Sequence, residues 1–145
     1  MNTFVHKMSW DANKIVSPCT IDVGRYARKG NSNENVIEAN ALWDTGATVT
    51  VVSELMVHRL GLVPTDFMKV AGYDGRTQIR NVYKIDLAFS DSMRFVKLNV
   101  IDAPLITTDI LLGMDVIAQG DLMFVHDENQ KRLSFSIKSE QPNNT

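Results

Sequence analysis

Apolar and polar residues alternate along much of the chain in short runs separated by turn-forming residues, the pattern of half-buried β-strands. Cys19 to Val23 (CTIDV) alternates in this way, and Val36 to Trp43 (VIEANALW) is a second strand-like run. The segment between them, GRYARKGNSNEN, is rich in the Gly, Asn and Ser of a long turn, so the two runs predict a hairpin with a loose tip. TVTVVS, dense in β-branched residues, predicts another strand. SELMVHRLGL follows, where Ser53 supplies an N-cap and Gly61 a stop, and predicts a short helix.

FMKVAGYDGRTQIRNVYKIDLAF predicts two strands around GYDG, with Asp74-Gly75 able to take the positive φ angles of a tight turn. RFVKLNVI alternates again. DILLGMDVIAQG predicts an apolar strand and then a short helix that Gly120 ends. DLMFVHDENQKRLSFSI predicts a closing hairpin around DENQ, and SEQPNNT a disordered tail. Many short strands with two brief helices define an all-β barrel or sandwich. Residues 1–18 receive no element and are read as a leader, 19–138 as one domain, and 139–145 as the tail.

The 145 residues are one domain's worth of chain, and 44% hydrophobic with 22% charged residues is the balance of a globular protein. Fifteen Lys and Arg against seventeen Asp and Glu give a formal charge of −2 with no basic block, which argues against nucleic acid as a partner. Cys19 is the one cysteine, so an intramolecular disulfide and a Cys-rich zinc site are both excluded. No apolar run reaches the roughly 18 residues of a membrane span, and the N-terminus has no secretory core, so no membrane partner and a cytoplasmic location are expected. His6, His58 and His126 are scattered without metal-ligand spacing, and no metal site is expected.

One stretch departs from the pattern. In ALWDTGATVTVV a carboxylate, Asp44, interrupts an apolar run at the point where a buried strand would carry another Val or Leu. Asp-Thr-Gly offers an acid for proton transfer, a hydroxyl that can hold neighbouring backbone, and a glycine that admits another chain. A desolvated acid acts best beside a second carboxylate, since two in contact cannot both ionise, and so a single Asp needs a partner. The bland alternative is a turn carboxylate bonded to local N–H groups.

The order of ALWDTGATVTVVS and, further on, DILLGMDVI resembles the retropepsin-like aspartic proteases, over about Val36 to Ile137. The resemblance implies a closed, pepsin-like β-barrel lobe with one or two short helices that works as a two-fold homodimer. It implies Asp44 as the catalytic acid, with Thr45, Gly46 and Ala47 forming the active-site turn, Thr45 bracing it across the dimer and Gly46 facing the substrate backbone. Leu111, Leu112 and Gly113 are implied as the core motif that supports this turn. VAGYDGRTQ falls where the family places a substrate-covering flap, which implicates Gly72, Tyr73, Asp74 and Gly75; an exposed hairpin tip is the competing reading. Retroviral members often carry an acid after the motif's Ala and an Arg after the later Gly, where this chain has Thr48 and Met114. Asp115 is read as structural, near a helix start. Leu133, Phe135 and Ile137 on a terminal edge strand are read as facing the core or a partner's strand, with partial interface use favoured.

The implied reaction is hydrolysis of peptide bonds in a peptide or protein substrate by a water that two copies of Asp44 activate, with neither metal nor organic cofactor. A pair sharing one proton gives activity in one protonation state, hence a bell-shaped pH profile on the acidic side of neutrality. Two rival readings stand beside it: a catalytically silent dimerisation or peptide-binding module, and a domain excised from a longer chain, against which Met1 and the polar close weigh.

Overall fold

The computed structural model describes residues 2–9, 11–27, 35–72, 74–127 and 129–138. In chain order the elements are β1 (Asn2–Met8), β2 (Val16–Asp22), β3 (Val36–Trp43), β4 (Val51–Ser53), α1 (Glu54–Leu60), β5 (Asp66–Ala71), β6 (Thr77–Ser90), β7 (Met93–Ala103), β8 (Ile110–Leu112), α2 (Met114–Ile117), β9 (Asp121–Asp127) and β10 (Gln130–Ile137). The predicted strands and both helices are present, and β1 is an addition where the sequence offered no element. The tail 139–145 lies outside the described residues.

The larger sheet runs β2-β3-β8-β4-β7-β6-β5, and β2 also pairs β6, so the first six of these close into a barrel. Closure removes the strand edges that an open sheet would expose. Alternation does the sorting: along β3 the side chains of Ile37, Ala39, Ala41 and Trp43 point inward and are buried. Among the described residues β5 pairs only β6, and it projects from the barrel as one arm of a hairpin.

A second sheet, β1-β10-β9, packs across one side of the barrel. Its inner face presents Phe4, Leu122, Leu133 and Phe135 to the core. The sequence reading of β10 as an edge strand is corrected here. β10 is paired on both sides, and Leu133 and Phe135 are fully buried in the chain's own core, so neither faces a partner.

Local caps match their residues. Ser53 accepts the Met56 N–H at 3.1 Å, and Gly61 takes φ 63°, ψ 35° to end α1. Two turns differ from expectation. Among the described residues of the hairpin tip Gly75 alone has positive φ, at 75°, and the Gly72 N–H donates to Arg76 O and the Arg76 N–H to Asp74 Oδ1. α2 is capped by Ala118 rather than ended at Gly120. Gly120 instead precedes β9 at a point where an added Cβ would run into Ser136 O, so its role is close approach.

β6 and β7 slip register between Ile85 and Leu87, and Lys97 there adopts φ 56°. Asp86, only 6% exposed, holds this bulge: its Oδ1 accepts the Lys97 N–H at 2.9 Å and the Tyr26 hydroxyl at 2.8 Å. Burial pushes its pKa up, but these two donors, with Arg25 and Arg94 nearby, outweigh it and hold the carboxyl below its usual value. A depressed carboxyl contributes stability above the ordinary pKa of about 3.9, and that contribution disappears as pH falls through the folded-state value. Asp86→Asn should therefore cost about 1–2 kcal/mol at pH 7 by urea unfolding, with the difference from wild type shrinking as pH drops towards 3.

Candidate active site

Asp44 sits at the end of β3, where two neighbours fix its approach. The Trp43 N–H donates to Ile15 O at 2.8 Å, and the Asp44 N–H donates to Leu112 O at 2.9 Å. The Trp43 side chain is an anchor: its Nε1–H donates to buried Ser17 Oγ at 2.9 Å, and its ring lies 4.9 Å from Phe135 and 5.0 Å from Phe89. Burying a ring of this size stabilises by about 3 kcal/mol, so the residue preceding Asp44 is firmly placed.

Past Asp44 the chain turns. The Ala47 N–H donates to Asp44 O at 3.2 Å, and the Gly46 N–H donates to Asp44 Oδ1 at 2.8 Å. The local-turn reading is thus partly realised on one oxygen, while the other receives no hydrogen bond from a described residue. Asp44 is half-buried, and Thr45 and Gly46 are exposed. The turn therefore offers one carboxylate oxygen and two small residues to whatever lies above it.

The second motif crosses beneath. Leu112 is fully buried, Leu111 less so, and Gly113 is packed so tightly that an added Cβ would lie 2.7 Å from Val49 C. Main-chain bonding continues from the Met114 N–H to Ala47 O at 2.7 Å. Sequence reasoning placed Asp115 correctly as structural but missed its partner. Its carboxylate accepts the Thr50 hydroxyl at 2.7 Å, the Thr50 N–H at 3.0 Å and the Val116 N–H at 3.0 Å, while Thr50 Oγ1 accepts the Gly113 N–H at 3.2 Å. Asp109 makes a similar tie, bonding the Asn40 N–H on β3 at 2.9 Å. Thr48 is exposed and Met114 37% exposed, in place of the retroviral ion pair.

Gly72, Asp74 and Gly75 lie at the tip of the β5–β6 hairpin and are exposed; Tyr73 lies outside the described residues. The base of the hairpin is joined to α1 by Arg80 and Glu54 at 3.9 Å, a pair too exposed to hold it rigidly. Between the hairpin base and Val49 runs a groove of about 400 Å³ walled by Thr65, Phe67, Met68, Lys84 and Asp115. It passes beside the turn, and Asp44 is not in its wall. Among the described residues no group of three or more His, Cys, Asp and Glu is arranged to hold a metal ion, and no helix is long and apolar enough to cross a membrane.

A closed barrel carrying Asp-Thr-Gly on a turn crossed by Leu-Leu-Gly is a lobe of the retropepsin-like aspartic protease class. The sequence model of the gag-polyprotein putative aspartyl proteases matches residues 30–119, more than half the chain, and the protein belongs to that family. Among solved structures it is similar to a retropepsin-like aspartic protease from Rickettsia conorii, with 12% identity, a TM-score of 0.50, and 92% of this chain and 94% of that chain covered. It is also similar to the retroviral protease-like domain of Ddi1 from Leishmania major, with 19% identity, a TM-score of 0.48, and coverage of 78% and 82% respectively. At these identities the Rickettsia likeness is one of fold. No curated protein matches the chain significantly.

The Thr50–Asp115 contact gives a direct test of what holds the turn. Thr50→Val keeps the shape of the side chain while removing the hydroxyl that bridges Asp115 and the Gly113 N–H. It should lower stability by about 1–3 kcal/mol in urea unfolding without changing the size of the folded chain. A loss under half of that would mean the turn is held by its main-chain bonds alone.

Proposed function

We propose that the protein is an aspartic endopeptidase acting as a two-fold homodimer, with one Asp44 from each protomer forming the catalytic pair. The observation that carries this reading is the state of Asp44: a half-buried carboxylate on a turn fixed from below by Leu112, Gly113 and Met114, with one oxygen free of described donors. A structural turn residue has no need of such bracing on an exposed face. One lobe supplies one carboxylate in this setting, and a two-fold axis supplies the second.

In the pair the ionised Asp44 takes a proton from water, and the resulting hydroxide equivalent adds to the scissile carbonyl carbon. The protonated Asp44 gives its proton to the carbonyl oxygen. Collapse of the tetrahedral intermediate breaks the C–N bond as the nitrogen is protonated, and the products are a carboxylic acid and an amine. Thr45 braces the turn across the two-fold, Gly46 faces the substrate backbone, Ala47 supports the turn, and the hairpin tip at Gly72, Asp74 and Gly75 closes over the substrate. The projection of β5–β6 from the barrel, with an exposed tip, supports that flap role.

The test is incubation of the purified chain with a diverse peptide library at several pH values, beside an Asp44→Asn control. Wild type should cleave, with a bell-shaped profile on the acidic side of neutrality. Asp44→Asn should fold and self-associate normally and lose at least roughly 10²–10⁴-fold of the rate. Equal cleavage by both would remove Asp44 as catalyst, and a folded dimer that cleaves nothing in the library would favour a silent binding module. Activity per chain should also fall on dilution below the dimer dissociation constant, which a fixed-substrate assay across protein concentration measures.

A further inference from the structure

The β5–β6 hairpin and its groove flank the Asp44 turn on one side, and β2 flanks the strand that carries it on the other. Val16 on β2 pairs Leu42 on β3, and Ile15 O accepts the Trp43 N–H, so the bonding continues one residue beyond the start of β2. Paired residues share a face of a sheet, and alternate residues along a strand return to it. Lys14 and Val16 are thereby set on the face of Leu42 and Asp44, with Lys14 one step past the bond that fixes Trp43.

Lys14 and Val16 line an open cavity of about 330 Å³. Among the described residues its wall includes His6, Lys7 and Met8 at the end of β1, and Asn13 on the loop that follows. Lys131 Nζ donates to Ala12 O at 2.8 Å and pins this loop to β10. Lys7, Asn13 and Lys14 are exposed, while His6, Met8 and Val16 are half-buried beneath them.

The charge of this wall is of one sign. It holds two lysines and a histidine and no carboxylate, and Asp11, the acid of the loop, stands outside it. Neither Lys7 nor Lys14 is in an ion pair among the described residues. Lys7 also lies directly opposite Arg132 on β10, and like charges so placed destabilise a strand pair. Positive charge has collected here, uncompensated, in a chain whose formal charge is −2. The groove on the hairpin side differs, since it sets Asp66 and Asp115 beside Lys84.

We propose that this cavity is a substrate subsite for a carboxylate side chain, so that the chain selects peptides carrying Asp or Glu near the scissile bond. This rests on the endopeptidase reading above and names its substrate class. Lys14 is the specificity-determining residue nearest Asp44 along the register, and Lys7 supplies the second charge. An acid in the cavity meets two ammonium groups and the Asn13 amide, while Met8 and Val16 receive its methylenes. A lysine or arginine side chain meets like charge there and is rejected. In a two-fold pair the cavity occurs twice, so acids on either side of the cut are read.

Two pools of one peptide library test this, identical except that alternate positions hold Glu in one and Gln in the other. The full chain should cleave the Glu pool about fivefold faster at low salt, with the advantage shrinking as salt screens the charges. The quantity read is a ratio within one protein, so a general loss of fold or turnover cancels from it. In Lys7→Gln/Lys14→Gln the ratio should fall to about one, and in Lys7→Glu/Lys14→Glu a third pool with Lys at those positions should become the preferred substrate. A second readout needs no turnover. Burial holds the His6 imidazole below its ordinary value, and a carboxylate seated beside it should raise it, as followed by ring-proton shifts when Asp44→Asn is titrated with either pool bound. Equal cleavage of the Glu and Gln pools, or a ratio that survives the Gln substitutions, overturns the subsite and leaves the endopeptidase standing. A chain that cleaves neither pool removes the endopeptidase, and His6 then decides: no change with the Glu pool overturns the subsite too, and a rise with that pool alone keeps the cavity as a site for acidic peptides.

Discussion

Gly113 lies against the backbone of Val49 with no room for a Cβ, and the rest of the site is arranged around that crossing. Because the two segments touch backbone to backbone, the polar groups on either side must bond each other or go without. Gly113 N–H reaches Thr50, Thr50 reaches Asp115, Met114 N–H reaches Ala47, and Asp44 N–H reaches Leu112. Each donor left unpaired there would cost about 1–3 kcal/mol, so the turn carrying Asp44 has one low-energy arrangement. Trp43 adds the apolar half of the constraint by wedging between Phe89 and Phe135 on the other side of the same strand.

How far the sequence disclosed this depended on the distance between partners. Ser53 and Gly61 bound α1 through bonds to residues at most four positions away, and their local chemistry was enough to read them. Asp44 was conspicuous because a carboxylate in an apolar run has a cost. Asp115 looked like a helix-start acid, which it is in its bond to Val116, but its stronger commitment is to Thr50, 65 residues earlier, and no local pattern reports such a pair. Asp86 was hidden in the same way. Its strand read as an ordinary alternation, while the bulge it stabilises is created by Lys97 on the neighbouring strand.

The termini were misread for a related reason. β1 alternates only weakly, and it becomes a strand because β10 presents a paired, apolar face to it across more than 120 residues of chain. β10 carried the stronger pattern and was taken for an edge, yet position in sequence says little about position in a sheet. Once β1 covers one side and β9 the other, the most buried strand of the trio is the central one, as burial of Leu133 and Phe135 shows.

Closing the barrel also concentrates the unsatisfied backbone. A six-stranded ring leaves none at its strands, so among the described residues the open strand edges belong to β1, β5 and β9, and two of these, β5 on the projecting hairpin and β9 beside the floor under Trp43, concern the site. Both lie close in the fold to the crossing that fixes Asp44: β5 borders the groove that runs past Val49, and β9 pairs the strand on which Trp43 rests. A lobe that contributes half of the proposed catalytic pair would have two kinds of surface to complete, one towards an extended substrate and one towards its own copy. Extended backbone is the form in which a peptide substrate and a sheet edge each offer hydrogen bonds. The fold leaves the β5 edge beside the groove that passes Val49, where the proposed chemistry calls for an extended substrate.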